Sequence, residues 1–345
     1  MRAFSDAERS LAGGLRPTLA ALALLIGIAL APAAATAQER PFSPADVVES
    51  VLRIKTFINP DARTTRNLGR EREGNGVVID GNGLILTIGY LMVEAYAAEV
   101  RTHDGRTLPA NIVGYDHETG FGLIQTIAPL KVKPLALGRS ADVKARDAVL
   151  IAGGGGIERI AAARIAAKRE FAGSWEYLLN EAIFTTPPYR EWSGAALVSR
   201  EGKLVGIGSL IVGDAAGDGS GVAGNMFVPI DLLPPILADL IADGRPAGKP
   251  RPWLGVTTAD MAGRLVIEQV APQGPAERAG LRKGDIIVGI AGDTPRNLAD
   301  FYRKVQSLGS AGANVPLEIE RGGATGHYDL KSMDRLDHLK LKNTF

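Results

Sequence analysis

Residues 74–87 have the sequence Gly-Asn-Gly-Val-Val-Ile-Asp-Gly-Asn-Gly-Leu-Ile-Leu-Thr. Two apolar runs flank an Asp-Gly-Asn-Gly segment, which predicts a β-hairpin because glycine and asparagine readily adopt the backbone angles of tight turns. Further short apolar runs predict strands at residues 51–58, 98–102, 107–115, 123–126, 148–152, 159–169, 181–185, 195–198 and 204–210. Short strands at regular spacing favour a mainly β domain, either a sandwich or a pair of barrels.

The pattern changes at residues 230–242, where leucine and isoleucine recur at helical spacing until Gly244. We expect a helix that closes the first domain. Residues 244–252 are rich in proline and positive charge, which predicts a linker. Residues 253–332 then predict a small α+β domain with strands at 254–257, 265–270, 286–290 and 315–320 and helices at 276–279 and 297–308. Residues 333–345 suggest a loosely held polar tail.

The composition is that of a globular protein with about two domains. The chain has 345 residues, of which 46% are hydrophobic, and its 42 glycines and 20 prolines favour turns and short strands over long helices. A formal net charge of +1 gives no reason to expect a nucleic-acid partner. Because the chain has no cysteine, disulfides and thiolate chemistry are excluded.

The first residues indicate export. Arg2, Arg9 and Arg16 precede an apolar run at residues 19–31, and Ala35-Thr36-Ala37 is a small-residue cleavage site. The apolar run is shorter than the roughly 20 residues that span a bilayer. We therefore expect a signal peptide at 1–37, cleaved after Ala37, and a periplasmic protein with an N-terminal segment at 38–70. The alternative is an uncleaved anchor.

Ser193 is the candidate nucleophile. It stands in Glu191-Trp192-Ser193-Gly194-Ala195, a turn between two apolar segments. A serine hydroxyl attacks a carbonyl only when a base takes its proton and hydrogen-bond donors stabilise the oxyanion. Whether Ser193 works therefore depends on what the rest of the chain supplies.

Several segments, in this order, resemble the protease domain of the HtrA (Deg) family. They are Gly74-Asn-Gly-Val-Val-Ile-Asp80, Leu86-Thr87, Asp104-Gly-Arg106, Val113-Gly-Tyr-Asp116, Leu135-Ala-Leu-Gly-Arg-Ser140, Ser193-Gly194 and Gly202-Lys-Leu-Val-Gly-Ile207. The resemblance implies a trypsin-like double β-barrel over residues 71–243, with the active site between the barrels. HtrA relatives commonly form trimers, which implies an oligomer here.

The second domain resembles a PDZ domain of the permuted bacterial kind. The segments that carry the resemblance are Trp253-Leu-Gly-Val256, Val270-Ala-Pro272, Gly274-Pro-Ala-Glu-Arg-Ala-Gly-Leu-Arg-Lys-Gly-Asp-Ile-Ile287 and Glu320-Arg-Gly322. In that family, backbone N–H groups of the segment matching Trp253, Leu254, Gly255 and Val256 bind the terminal carboxylate of a peptide. The peptide adds to the sheet as an extra strand. The resemblance therefore implies protein or peptide partners.

Three positions depart from what an HtrA-like protease needs. Tyr90 stands where the family has its histidine base, and a phenol with a pKa near 10 holds its proton too tightly to act as a base at neutral pH. Gly120 stands where the family has its aspartate and offers no side chain. Glu191 replaces a glycine that shapes the oxyanion hole and brings negative charge there.

Other chemistries find little support in the sequence. None of the four histidines stands at the position of the base, although a Ser–Lys dyad at Ser193 remains open. Residues 153–156 are four glycines without the spacing or the lysine of a phosphate-binding loop. Histidines and carboxylates show no metal-ligand spacing, so we expect neither a metal nor another cofactor. Trp192 could plug the old substrate pocket, pack in part against the core, or anchor a partner.

These observations lead to three hypotheses for the function. The first is an exported pseudoprotease that binds peptides or unfolded segments through its PDZ domain as an adaptor or scaffold. The second is a residual serine endopeptidase in periplasmic quality control that uses Ser193. A chaperone-like holdase is a third possibility that uses the same surfaces.

Overall fold

The computed structural model describes residues 43–341. The predicted signal peptide and its cleavage site lie outside this range, as do the last four residues of the tail. In residues 43–341, no helix is long and apolar enough to cross a membrane. A short helix, α1 (Ala45–Val48), precedes the first strand.

The first barrel consists of β1 (Val51–Ile58), β2 (Glu71–Val78), β3 (Leu84–Ile88), β4 (Ala95–Arg101), β5 (Thr107–Tyr115) and β6 (Phe121–Thr126). Its strands close in the order β1-β2-β3-β6-β5-β4. The predicted hairpin forms between β2 and β3, with Val77 opposite Leu86. We expected this domain to begin at residue 71, but β1 pairs with both β2 and β4 and closes the barrel, so the barrel begins at Val51. A helical turn, α2 (Thr65–Leu68), lies between β1 and β2.

The second barrel consists of β7 (Ala148–Ala152), β8 (Ile160–Gly173), β9 (Tyr177–Thr186), β10 (Ala196–Val198), β11 (Leu204–Val212) and β12 (Gly224–Pro229). It closes in the order β10-β11-β12-β9-β8-β7. The sequence did not predict β12, because all six of its residues are buried and the strand shows no alternation of apolar and polar side chains. The predicted helix is α3 (Pro234–Asp243), which ends at Gly244 with a left-handed φ of 70°.

Apolar side chains join the two barrels into one core. Leu86 and Phe121 of the first barrel belong to the same buried cluster as Phe184 and Val228 of the second. Together the barrels form the trypsin-like pair that the resemblance implies, and we refer to residues 51–243 as the barrel domain.

The second domain is a five-stranded antiparallel sheet with two helices. The elements are β13 (Val256–Met261), β14 (Arg264–Val270), α4 (Pro275–Arg278), β15 (Ile286–Ile290), α5 (Leu298–Ser307), β16 (Asn314–Arg321) and β17 (Ala324–Lys331). The Asn297 side chain caps α5 by accepting a hydrogen bond from the Asp300 N–H at 2.8 Å. The edge strand β17 was not predicted, since half of its residues are both polar and exposed.

The described part of the tail is held firmly, contrary to our expectation. Residues 335–338 form a helical turn, α6 (Arg335–His338), and the His338 ring is buried 4.7 Å from the centre of the Trp253 ring. The Lys340 N–H then donates to the Glu94 carboxylate at 2.6 Å. A tail with polar composition is thus ordered by one buried ring and by a buried acceptor on the barrel domain.

Glu94 is a buried polar hub that should contribute to stability. Its carboxylate accepts hydrogen bonds from Lys340 N, from Arg63 N at 3.1 Å and from the N–H and hydroxyl of Thr64 at 2.8 and 2.6 Å. Burial raises its pKa, but these hydrogen bonds outweigh burial and hold the pKa below its usual 4.5. A carboxyl with a lowered pKa stabilises the fold above the unfolded-state pKa and loses that effect in acid.

We predict that Glu94→Gln lowers the free energy of unfolding by about 1–3 kcal/mol at neutral pH, because an amide nitrogen then faces N–H donors. Urea unfolding measures the change. The difference from the wild type should shrink as the pH falls below 4.5. The control is Glu99→Gln, an exposed glutamate on β4. Equal effects of the two substitutions would contradict the prediction.

Candidate functional site

The structure brings Tyr90 and Ser193 together. Tyr90 follows β3, Ser193 lies in the turn before β10, and their hydroxyl oxygens are 2.8 Å apart. The Tyr90 hydroxyl is also 2.9 Å from the carbonyl oxygen of Ser209. A carbonyl only accepts hydrogen bonds, and a phenol has one proton. Both contacts are therefore satisfied when Tyr90 donates to Ser209 and the Ser193 hydroxyl donates to Tyr90.

The phenol is a poor acceptor for the serine proton. Burial raises the pKa of Tyr90 to about 12, although its hydrogen bonds oppose the rise. Such a phenol is almost entirely neutral at pH 7. Within residues 43–341, the side chain that hydrogen-bonds to the Ser193 hydroxyl is this neutral phenol and not a lysine, so the Ser–Lys dyad left open by the sequence gains no support.

Gly120 lies next to this pair, at a position where a side chain has little room. Its carbonyl accepts a hydrogen bond from the Gly89 N–H at 2.7 Å, which places it beside the residue that precedes Tyr90. Its φ is 86°, and a Cβ would lie 3.1 Å from the Tyr177 hydroxyl. Tyr177 itself donates to the Thr119 carbonyl at 2.6 Å. The Tyr177 side chain thus occupies the space beside Gly120.

Glu191, two residues before Ser193, forms ion pairs with two arginines. Its carboxylate pairs with Arg53 at 3.1 Å and also with Arg159. All three side chains are about one-third exposed, so solvent screens these pairs. The carboxylate lies two residues before Ser193, and the two cations more than offset the negative charge that the sequence led us to expect there. Trp192, between them, is half-buried.

Asn75 holds the Ser193 turn in place. Its backbone N–H donates to the Ser193 carbonyl at 2.8 Å, and its side-chain amide donates to the Glu191 and Ser193 carbonyls at 2.8 and 3.0 Å. Its side-chain oxygen accepts from the Gly154 N–H at 2.9 Å. Asn75 belongs to the Gly74–Asp80 motif, whose pattern does not indicate this role.

The predicted peptide-binding segment already holds a carboxylate. The N–H of Leu254 donates to Glu176 Oε2 at 2.8 Å, and the N–H groups of Gly255 and Val256 donate to Glu176 Oε1 at 2.7 and 3.0 Å. Trp253 does not take part in this way, because its N–H donates to the Met333 carbonyl at 3.0 Å.

Glu176, like Asn75, is a residue of the site that the sequence did not indicate. It lies at the tip of the hairpin between β8 and β9, with a left-handed φ of 60°. Burial raises its pKa to about 6, although the three N–H donors favour the charged form and limit the rise. Nothing in the local sequence Ser-Trp-Glu distinguishes it from an ordinary turn.

Across residues 43–341, histidines and carboxylates do not gather in groups of three or more that could hold a metal ion.

We predict that Gly120→Asp, which places a carboxylate at the position of the family's aspartate, lowers the free energy of unfolding by about 2–4 kcal/mol. The aspartate would adopt a left-handed φ and crowd the Tyr177 hydroxyl. Gly105→Asp is the matched control, since Gly105 has a φ of 87° with no atom near the added Cβ. It should cost only about 1 kcal/mol. Equal losses in urea unfolding would show that Tyr177 does not restrict residue 120.

Two family profiles match the chain. The trypsin-like peptidase domain matches residues 74–207, and the PDZ domain matches residues 266–321. A variant of the HtrA-type protease AlgW with tripeptide has a similar fold, with a TM-score of 0.51 over 87% of this chain and 98% of that one at 23% identity.

Curated relatives of the chain are serine proteases of the HtrA type. The chain is 30% identical to serine protease PepD of Mycobacterium tuberculosis over 302 residues, and the match covers 80% of this chain and 62% of PepD. It is 28% identical to putative serine protease HhoA of Synechocystis, covering 72% of this chain and 66% of HhoA. It is 27% identical to a probable periplasmic serine endoprotease DegP-like of Rhizobium meliloti, covering 79% of this chain and 56% of that protein. The chain thus spans less than two-thirds of the length of each of these relatives. With both domains, in this order, the chain belongs to the HtrA family.

Proposed function

We propose that this protein is an exported HtrA-family pseudoprotease that binds peptides or unfolded protein segments through its PDZ domain, as an adaptor, scaffold or chaperone. The observation that carries the proposal is the contact between the neutral Tyr90 phenol and the Ser193 hydroxyl. In a working triad a histidine would take the serine proton and an aspartate would orient the histidine. Here the serine keeps its proton.

The surroundings of Ser193 support the same conclusion. Gly120 leaves no carboxylate to orient a base, and Tyr177 restricts the space for one. Glu191 stands where the family has a glycine that shapes the oxyanion hole, and its ion pairs with Arg53 and Arg159 fix the turn in its present arrangement. Loss of triad members leaves at best the small rate that comes from binding and from an oxyanion hole.

Export and peptide binding have separate support. Export to the periplasm is supported by the predicted signal peptide and by relatives described as periplasmic. The PDZ domain supports peptide ligands, since its Leu254–Gly255–Val256 backbone can bind a carboxylate. The competing function, a residual endopeptidase, is suggested by the retained Ser193 and by the protease names of the relatives.

We predict that the purified chain cleaves no casein and that a fluorophosphonate probe does not label Ser193, because no base removes the serine proton. Gel fluorescence and peptide release measure the two reactions, with an active serine protease in parallel to validate the reagents. Ser193→Ala should be indistinguishable from the wild type. Labelling or cleavage that disappears in Ser193→Ala would establish the endopeptidase and refute the pseudoprotease.

A further inference from the structure

Glu176 binds to the PDZ domain as a terminal carboxylate of a peptide would. Its two oxygens accept hydrogen bonds from three consecutive N–H groups, all between 2.7 and 3.0 Å long. Hydrogen bonds from backbone N–H groups to a carboxylate are among the stronger ones in proteins. The cleft that the proposed function assigns to a ligand is therefore occupied by a residue of the barrel domain.

The main chain next to Glu176 extends the likeness. The carbonyl of Ser174, two residues before Glu176, accepts a hydrogen bond from the N–H of Thr258 at 2.8 Å. Thr258 lies two residues beyond Val256, which is the spacing at which residues of a strand repeat on one side. The hairpin tip thus begins to pair with β13, as a bound peptide does when it adds to a sheet edge.

Apolar side chains of the hairpin fill the space beside the carboxylate. Ala172 and Leu178 face each other across the hairpin, and both pack against the buried core of the PDZ domain. A ligand that replaces the hairpin would have to bring an apolar side chain of its own to cover this surface. The chemistry of the site therefore fits a peptide with a free C-terminal carboxylate and an apolar last residue.

The remaining contacts of the hairpin tip with α5 are polar. The buried Tyr302 hydroxyl donates to the Gly173 carbonyl at 2.8 Å and lies 3.2 Å from the Glu176 N–H. Arg303 pairs with Glu170 at the surface. These polar contacts exchange for water at little net cost, so the apolar contact of Ala172 and Leu178 is the part that a ligand has to replace. A cavity of about 600 Å³, lined in part by Glu176, Leu178 and Tyr302, adjoins the site.

We propose that Glu176 is an internal ligand of the PDZ domain, and that a peptide with a free carboxylate and an apolar last residue binds only by displacing the β8–β9 hairpin tip. This inference rests on the proposed peptide-binding function. The internal ligand is tethered, so it competes at a high effective concentration. A cleft that is free only a small fraction of the time binds peptides more weakly by that fraction.

The experiment compares the full-length wild type with Glu176→Ala and with the control Glu181→Ala. Glu181 lies on the same hairpin but pairs with Lys168 of the neighbouring strand at 2.9 Å. The probes are pooled decapeptides that end in Val, Leu or Phe, either with a free carboxylate or amidated, and fluorescence anisotropy measures their affinity. Amide hydrogen exchange at residues 254–258 reports directly on whether the cleft is occupied.

We expect Glu176→Ala to bind the free-carboxylate peptides about tenfold tighter or more, and to exchange the amides of residues 254–258 faster. The control should match the wild type in both measurements, and the amidated peptides should bind none of the proteins. Faster exchange in Glu176→Ala without peptide binding by any protein would keep the internal ligand and refute the proposed function. Unchanged exchange together with equal affinity in wild type and Glu176→Ala would overturn the internal ligand and leave peptide binding intact.

Discussion

The Ser193 turn depends on one buried amide, that of Asn75. This side chain extends from β2 of the first barrel. It donates to the carbonyls of Glu191 and Ser193 in the turn and accepts a hydrogen bond from the N–H of Gly154 in the second barrel. The Thr87 hydroxyl in turn donates to the Asn75 carbonyl at 2.7 Å. A buried amide that lost these partners would remain unsatisfied, which costs more than the hydrogen bonds contribute. The contact between the barrels therefore preserves the shape of the turn whether or not Ser193 reacts.

Shape and chemistry are separable at this site. The hydroxyl of Ser193 keeps a hydrogen-bond partner at an ordinary distance, and the turn keeps its backbone contacts. The difference from a working triad is the group that faces the serine hydroxyl. In place of a histidine base it is the buried phenol of Tyr90, which has a pKa of about 12 and stays neutral at pH 7. The apolar barrel core and the contacts of Asn75 with the backbone stabilise this fold, and neither depends on whether Ser193 reacts.

The sequence predicted most of the fold because the barrel strands are short and are separated by glycine-rich turns. The resemblance to the HtrA family also predicted that Tyr90, Gly120, Glu191 and Ser193 belong to one region, since each stands at a position of the family's active site. The prediction of strands and boundaries failed where the local pattern of apolar and polar residues carries no information. Strand β12 is uniformly buried, β17 is largely polar, and β1 closes the barrel through pairing with strands far along the chain.

Glu176 could not be found from the sequence for a related physical reason. Its importance comes from the position of three N–H groups 78–80 residues further along the chain, and no property of the hairpin tip specifies that distance. The adjacent residue, Tyr177, lies near the Ser193 site, because its hydroxyl lies against Gly120. Two consecutive residues of one hairpin thus reach the PDZ cleft and the surroundings of Ser193. A ligand that displaced Glu176 as proposed would therefore act on the residue adjacent to Tyr177, which fills the space beside Gly120.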